Sequence, residues 1–144
     1  MLNKHKIAKI EGMQNQKNFP TELLVTGLGG AIGGATRYLL GLVPIIGPMP
    51  VMTMLINWLG TLLLAMLGAY LASHRSRLER WQSFLGTGVL GGFTTFSTMI
   101  WQVHQQLFIS VANALVYMIL TLGGGLIMLK LGNYFGNKIG EAHV

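Results

Sequence analysis

Cysteine is absent from the chain. Disulfides and thiolate metal sites are thereby excluded, and the redox compartment is left open. Acidic residues are scarce, four in 144, and none lies inside an apolar stretch long enough to cross a membrane. The four histidines, at positions 5, 74, 104 and 143, fall in tails and loops without ligand spacing. No carboxylate pair, nucleophile triad or metal cluster can be assembled from these residues, so the sequence does not read as an enzyme. Charge is missing in another sense too, because no formal charge separates Arg80 from Lys130. What remains is 51% hydrophobic and 10% charged, with a mean hydropathy of +0.54. That balance describes an integral membrane protein of one domain, not a soluble one. The net charge of +6 suggests nucleic acid at first sight. Its basic residues sit on short segments flanking apolar spans, however, where they act as topology determinants.

Taken in order, residues 1–20 form a polar basic tail with Lys4, Lys6, Lys9 and Lys17 against Glu11. No apolar core of a signal peptide is present there; a disordered cytoplasmic tail is expected, and Met13 is an alternative start. The membrane domain is read as residues 21–132, with four spans at about 23–43, 51–72, 84–101 and 107–131, each near the 20 residues that a hydrocarbon core requires. Residues 133–144 make a short C-terminal tail. In the first span, Gly27 and Gly29 imitate a nucleotide loop. Ile32 takes the place of the last glycine and no strand precedes it, so that reading fails. Gly30 and Gly34 instead suit close helix packing. Arg37 is the only charge inside a span, and at roughly 3 kcal/mol or more in lipid it must face protein or water. It either snorkels to the surface or stands in a vestibule that attracts anions.

The second span places Thr53, Asn57 and Thr61 four residues apart on one face. Asn57 needs a partner in hydrocarbon; it is either interhelical glue or an amide donor aimed into a pore. The fourth span carries Asn113, Tyr117 and Thr121 in the same i,i+4 register, a polar stripe consistent with a lined path. Between them lies Gly86-Thr87-Gly88-Val89-Leu90-Gly91-Gly92-Phe93-Thr94-Thr95-Phe96-Ser97-Thr98, bracketed by Trp81 and Trp101 as interfacial anchors. Each glycine costs roughly 1 kcal/mol of helix propensity. Irregular backbone survives at membrane depth only when buried in protein or lining a cavity. The third span is therefore expected to be a helix broken mid-membrane.

Nine of the ten Lys/Arg residues fall on one side: four in the N-terminal tail, Arg75, Arg77 and Arg80 in the central loop, and Lys130 and Lys138 at the C-terminal end, with none on the opposite two loops. The positive-inside rule puts both termini in the cytoplasm. Four spans of this size can hardly enclose a pore alone, so an oligomer is expected.

The run Gly91-Gly92-Phe93-Thr94-Thr95-Phe96-Ser97-Thr98 resembles the signature of the Fluc/CrcB fluoride channels. The likeness extends to residues 33–38 with Arg37, to Thr53, Asn57 and Gly60, and to Tyr117 and Thr121. It implies an antiparallel dimer in the cell membrane with two narrow fluoride pores, and passive export of fluoride that limits its toxicity. It also implies a structural sodium ion at the dimer centre, on the carbonyls of Gly91 and Thr94. Asn57, Phe96, Tyr117 and Thr121, with Met99 in a position usually phenylalanine, are the pore residues so implied, and Arg37 the vestibule charge. Breaking a helix frees carbonyls suited to a hard cation. A small, tightly hydrated anion needs strong donors, to which the positive edge of Phe96 adds a weaker contact.

Departures accompany the match. Met99 stands for a phenylalanine, Gln102 for an acid, Met52 for a glycine, and Gly125 for a polar residue of the last helix. Combined with the strong charge bias, they suggest a heterodimer with an oppositely oriented homologue, as an alternative to a dimer of identical chains. A non-conducting membrane assembly subunit is the other class of reading. A small multidrug-resistance-type exporter is the third, weakened by the lack of an intramembrane carboxylate.

Overall fold

The computed structural model describes residues 4–42, 49–73 and 81–142. The basic central loop with Arg75, Arg77 and Arg80 lies outside these, as does most of the loop between the first two spans. The described residues are helical throughout, without strands. Helix α1 covers Lys4–Gly41 and α2 covers Met49–Ser73. A π-helical segment, α3, runs over Gln82–Leu90 and passes directly into the single turn α4, Gly91–Phe93. Helix α5 covers Phe96–Leu107 and α6 covers Val111–Ala142.

Three of these helices are long and apolar enough to cross a membrane, over Phe19–Gly41, Pro50–Ala72 and Val111–Glu141. The segment from α3 to α5 is assembled from shorter pieces. Its glycines at 86, 88, 91 and 92 offer the backbone little reason to hold one regular helix. At Thr94 (φ −78°, ψ 158°) and Thr95 (φ −148°, ψ 120°) the chain is extended, in the region that β-branched residues favour.

Several boundaries differ from those read off hydropathy. The N-terminal basic stretch is helical from Lys4, continuous with the first span, where an irregular tail was expected. Pro20 sits inside that helix, where it removes one backbone donor. Residues 102–106, expected as a loop, complete α5. The connection is a tight turn at 108–110, so the last helix starts at Val111 and not at Leu107. At the other end α6 continues through most of the expected C-terminal tail.

The helices pair as α1 with α3 and α2 with α6. Glycines set both contacts. A Cβ at Gly29 would stand 2.6 Å from the Phe84 carbonyl oxygen, and one at Gly33 would meet the Val89 carbonyl. The packing face of α1 is thus Gly29 and Gly33. Gly34, expected at the contact, has nothing near it, while Gly30 takes part because Gly92 approaches its backbone. On α6, Gly132 and Gly136 lie against the backbone of Leu62 and Met66. Interior side chains are few; Met52, Ile56 and Phe93 form a small core cluster with Leu40 packed against it. Leucines such as Leu24, Leu28 and Leu126 face outward, the distribution of a protein whose solvent is lipid.

Candidate functional site

The site grows from the two extended residues. A helix interrupted away from water leaves amide N–H and carbonyl groups that each cost about 1–3 kcal/mol if unpaired. Here every backbone polar atom of Thr94 and Thr95 has a partner. The Thr94 N–H donates to the Leu90 carbonyl at 3.1 Å. Its carbonyl accepts from Arg37 Nη1 at 3.0 Å. Thr95 is gripped from both sides by one side chain. Asn57 Nδ2 donates to the Thr95 carbonyl at 2.9 Å, and the Thr95 N–H donates to Asn57 Oδ1 at 2.8 Å. The amide of Asn57 takes the place of a neighbouring peptide unit. Thr95 Oγ1 then caps α5 by accepting from the Thr98 N–H at 3.2 Å, the usual role of a threonine before a helix.

Of the two alternatives for Asn57, these bonds make it glue between α2 and the break; it also lines the adjoining cavity. Arg37 does not snorkel outward; its guanidinium turns to the break.

A second group of polar side chains is buried beside this brace. Tyr117 Oη donates to Gln102 Oε1 at 2.7 Å, and Gln102 Nε2 donates to Thr53 Oγ1 at 2.9 Å. Tyr117, Gln102 and Thr53 are all buried, so their groups are shielded from water and strongly coupled. The Thr121 hydroxyl donates to the Tyr117 carbonyl at 2.8 Å, and Trp58 Nε1 donates to the Thr121 carbonyl at 3.0 Å. The Thr61 hydroxyl donates to the Asn57 carbonyl at 2.7 Å. Of the expected stripe on the last helix, Tyr117 and Thr121 turn inward, whereas Asn113 is exposed.

Two cavities adjoin the break. The larger, about 590 Å³, is lined by Asn57, Phe96, Met99 and Thr121 among others. Four of the five expected pore residues therefore share one space. Tyr117 is the exception, held in the network with Gln102. The wall opposite Asn57 is apolar, with Leu122, Gly125, Leu126 and Leu129. Phe96 is 70% exposed, with its ring on the protomer surface, while Met99 is 3% exposed. The smaller cavity, about 170 Å³, holds Arg37, Thr53, Thr98 and Gln102. Thr95 lines both. Sequence reasoning missed the positions of Thr95 and Gln102. Gln102 had registered only as a lost acid, although an amide in an apolar helix itself signals a buried partner.

As for a cation, no group of three or more His, Asp or Glu residues forms a metal site among the described residues. The carbonyl of Gly91, an exposed residue, receives the Thr94 hydroxyl at a long 3.4 Å. The Thr94 carbonyl has one lone pair engaged by Arg37. These two oxygens fit a hard cation in kind, but two oxygens alone fall short of a full coordination shell.

The family described as CrcB-like protein, Camphor Resistance (CrcB), matches residues 24–133. A protein of Lactiplantibacillus plantarum named fluoride-specific ion channel FluC 1 is 42% identical over 120 residues, covering 75% of this chain and 92% of the relative. Fluoride-specific ion channel FluC 2 of Listeria innocua is 37% identical over 126 residues, covering 84% and 97%. The fluoride-specific ion channel FluC of Dichelobacter nodosus is 36% identical over 117 residues, covering 78% and 93%.

Proposed function

The chain belongs to the CrcB family, and on that premise we propose that it is a multi-pass membrane protein forming a fluoride-specific ion channel, not an enzyme. The observation that carries the reading is the braced interruption at Thr94 and Thr95, opening on a cavity that Asn57, Phe96, Met99 and Thr121 share. A narrow passage for a small anion must replace hydration water with fixed donors and must not collapse. Asn57 meets both needs, because its engagement with Thr95 orients the N–H that remains. The outward ring of Phe96 presents a positive edge where a second protomer would close the passage. Arg37 raises the local concentration of anions in the smaller cavity.

In this reading the break lies at mid-membrane, both termini are cytoplasmic, and two protomers of opposite orientation build the pores. Gly91 and Thr94 of each protomer would hold a structural sodium ion, whose charge would hold four carbonyl dipoles together at the centre. Fluoride then leaves the cytoplasm passively, down its gradient.

The test is to reconstitute the purified chain in liposomes and follow fluoride release with an ion-selective electrode. Rapid release that chloride does not match is expected, and a tight vesicle at every protein density would overturn the channel reading. Met99 and Gln102, in place of the family's usual phenylalanine and acid, favour a second reading in which an oppositely oriented homologue completes one working pore. The charge asymmetry supports it. Robust release from pure single-chain dimers would exclude that requirement.

A further inference from the structure

The turn between α5 and α6 carries the most exposed large apolar side chain of the described molecule. Phe108 is 82% exposed and Ile109 73%, with Trp101 behind them at 60%. Trp101, His104 and Phe108 form one stack along the end of α5. The Trp101 and His104 rings lie 5.8 Å apart and nearly parallel, and His104 meets Phe108 edge-on at 4.9 Å. A hydrophobic tip this bare would be a liability in water.

Two further observations say where it resides. First, the turn is closed on itself. The N–H groups of Phe108, Ile109 and Ser110 donate to the carbonyls of Gln105, Gln106 and Gln106 at 3.3, 3.0 and 2.9 Å, and that of Ala114 donates to the Ser110 carbonyl. The donors of 108–110 thus need no water, and the open N–H groups at the start of α6 suit the polar headgroup layer just above the hydrocarbon. Second, the first formal charge along α6 is Lys130. At about 1.5 Å per residue, Val111 lies about 28 Å from it, close to the roughly 30 Å of a hydrocarbon core. With Lys130 at one membrane surface, residues 107–110 arrive at the other, still in its headgroup layer. An aromatic–imidazole stack with apolar bodies and polar tips suits that layer.

We propose that the turn at 107–110, with Trp101 and His104, is embedded in the headgroup–acyl boundary of the bilayer, on the face remote from Lys130, as a lipid-binding wedge. The occupant of this surface is lipid, not a protein. The proposal rests on membrane insertion and not on the ion conducted.

The absence of cysteine permits a clean test. Phe108→Cys and Ile109→Cys are each spin-labelled in the full chain, reconstituted in vesicles of phosphatidylethanolamine and phosphatidylglycerol. Collision rates with oxygen and with a water-soluble nickel chelate are then compared. Lys138→Cys, on the exposed end of α6, is the aqueous reference. The oxygen-to-nickel ratio at 108 and 109 is expected to exceed the reference several-fold, with a depth about 5–10 Å into the headgroup–acyl boundary. A ratio equal to the reference would overturn the proposal. So would spin–spin broadening that disappears on dilution with unlabelled chain, since that signals a protein partner on the tip. Two independent label sites keep the test valid if one variant does not fold.

Discussion

The α2–α6 pair and the interrupted segment from α3 to α5 solve the same problem by opposite means. In α2 and α6 the backbone satisfies itself, so the contact rests chiefly on close approach, and Gly132 and Gly136 provide it by lacking a Cβ. At Thr94 and Thr95 the backbone stops satisfying itself, and side chains from two other helices do so in its place. Arg37 reaches from α1 and Asn57 from α2. Steric fit dominates the first region, where Trp58 adds a bond to the Thr121 carbonyl; hydrogen bonds hold the second. The same composition of small and apolar residues therefore hides two different sensitivities to mutation.

Asn57→Ala should have the largest effect. It leaves the N–H and carbonyl of Thr95 without their partner, a loss of about 3 kcal/mol, and thermal unfolding in detergent should fall accordingly while fluoride release disappears. If Asn57→Ala unfolds no earlier than Thr61→Ala, the brace is not what holds the break and the contrast dissolves. Gly132→Val tests the opposite region. Its branched side chain meets the Leu62 carbonyl and the Ala65 Cβ, for an overpacking cost of about 1–3 kcal/mol, read as a lower melting temperature. Compensation by Ala65→Gly is expected only in part, because the Leu62 carbonyl stays in the way.

Gln102→Leu removes the bonds to Tyr117 and Thr53 and leaves the buried Tyr117 hydroxyl without its acceptor, a cost of about 2 kcal/mol. A double-mutant cycle with Tyr117→Phe should recover part of that loss; strict additivity would show the two residues to be uncoupled. The smallest effect belongs to Thr95→Val, which deletes the cap of α5 at about 1 kcal/mol. Thr95→Ser should restore it, and a serine variant as unstable as the valine would assign the loss to packing.

These contrasts also mark how far the sequence could be read. The three long spans were legible because about twenty apolar residues in a row leave few alternatives. The extended pair at Thr94–Thr95 was legible in kind from its glycines and threonines. Its partners were not, since a pairing across 38 residues between Asn57 and Thr95 leaves no local periodicity. Gln102 shows the same limit from another side. Compared with a family pattern it looks like a loss, whereas the fold makes it the centre of a buried network. The choice of Gly29 and Gly33 over Gly34 depended on how α1 is rotated towards α3, and four glycines within six residues cannot specify that rotation. The ends of α1 and α6 were misjudged for a simpler reason: hydropathy finds where lipid stops, and a helix can continue beyond it.

Thr95 forms part of the wall of both cavities, a partition shared by a greasy chamber and a charged one. Its backbone is fastened to α2 through Asn57, and its hydroxyl to the first turn of α5. Such a partition has no slack of its own. If α2 tilts, Thr95 tilts with it, so this stretch of wall keeps its shape while its surroundings move.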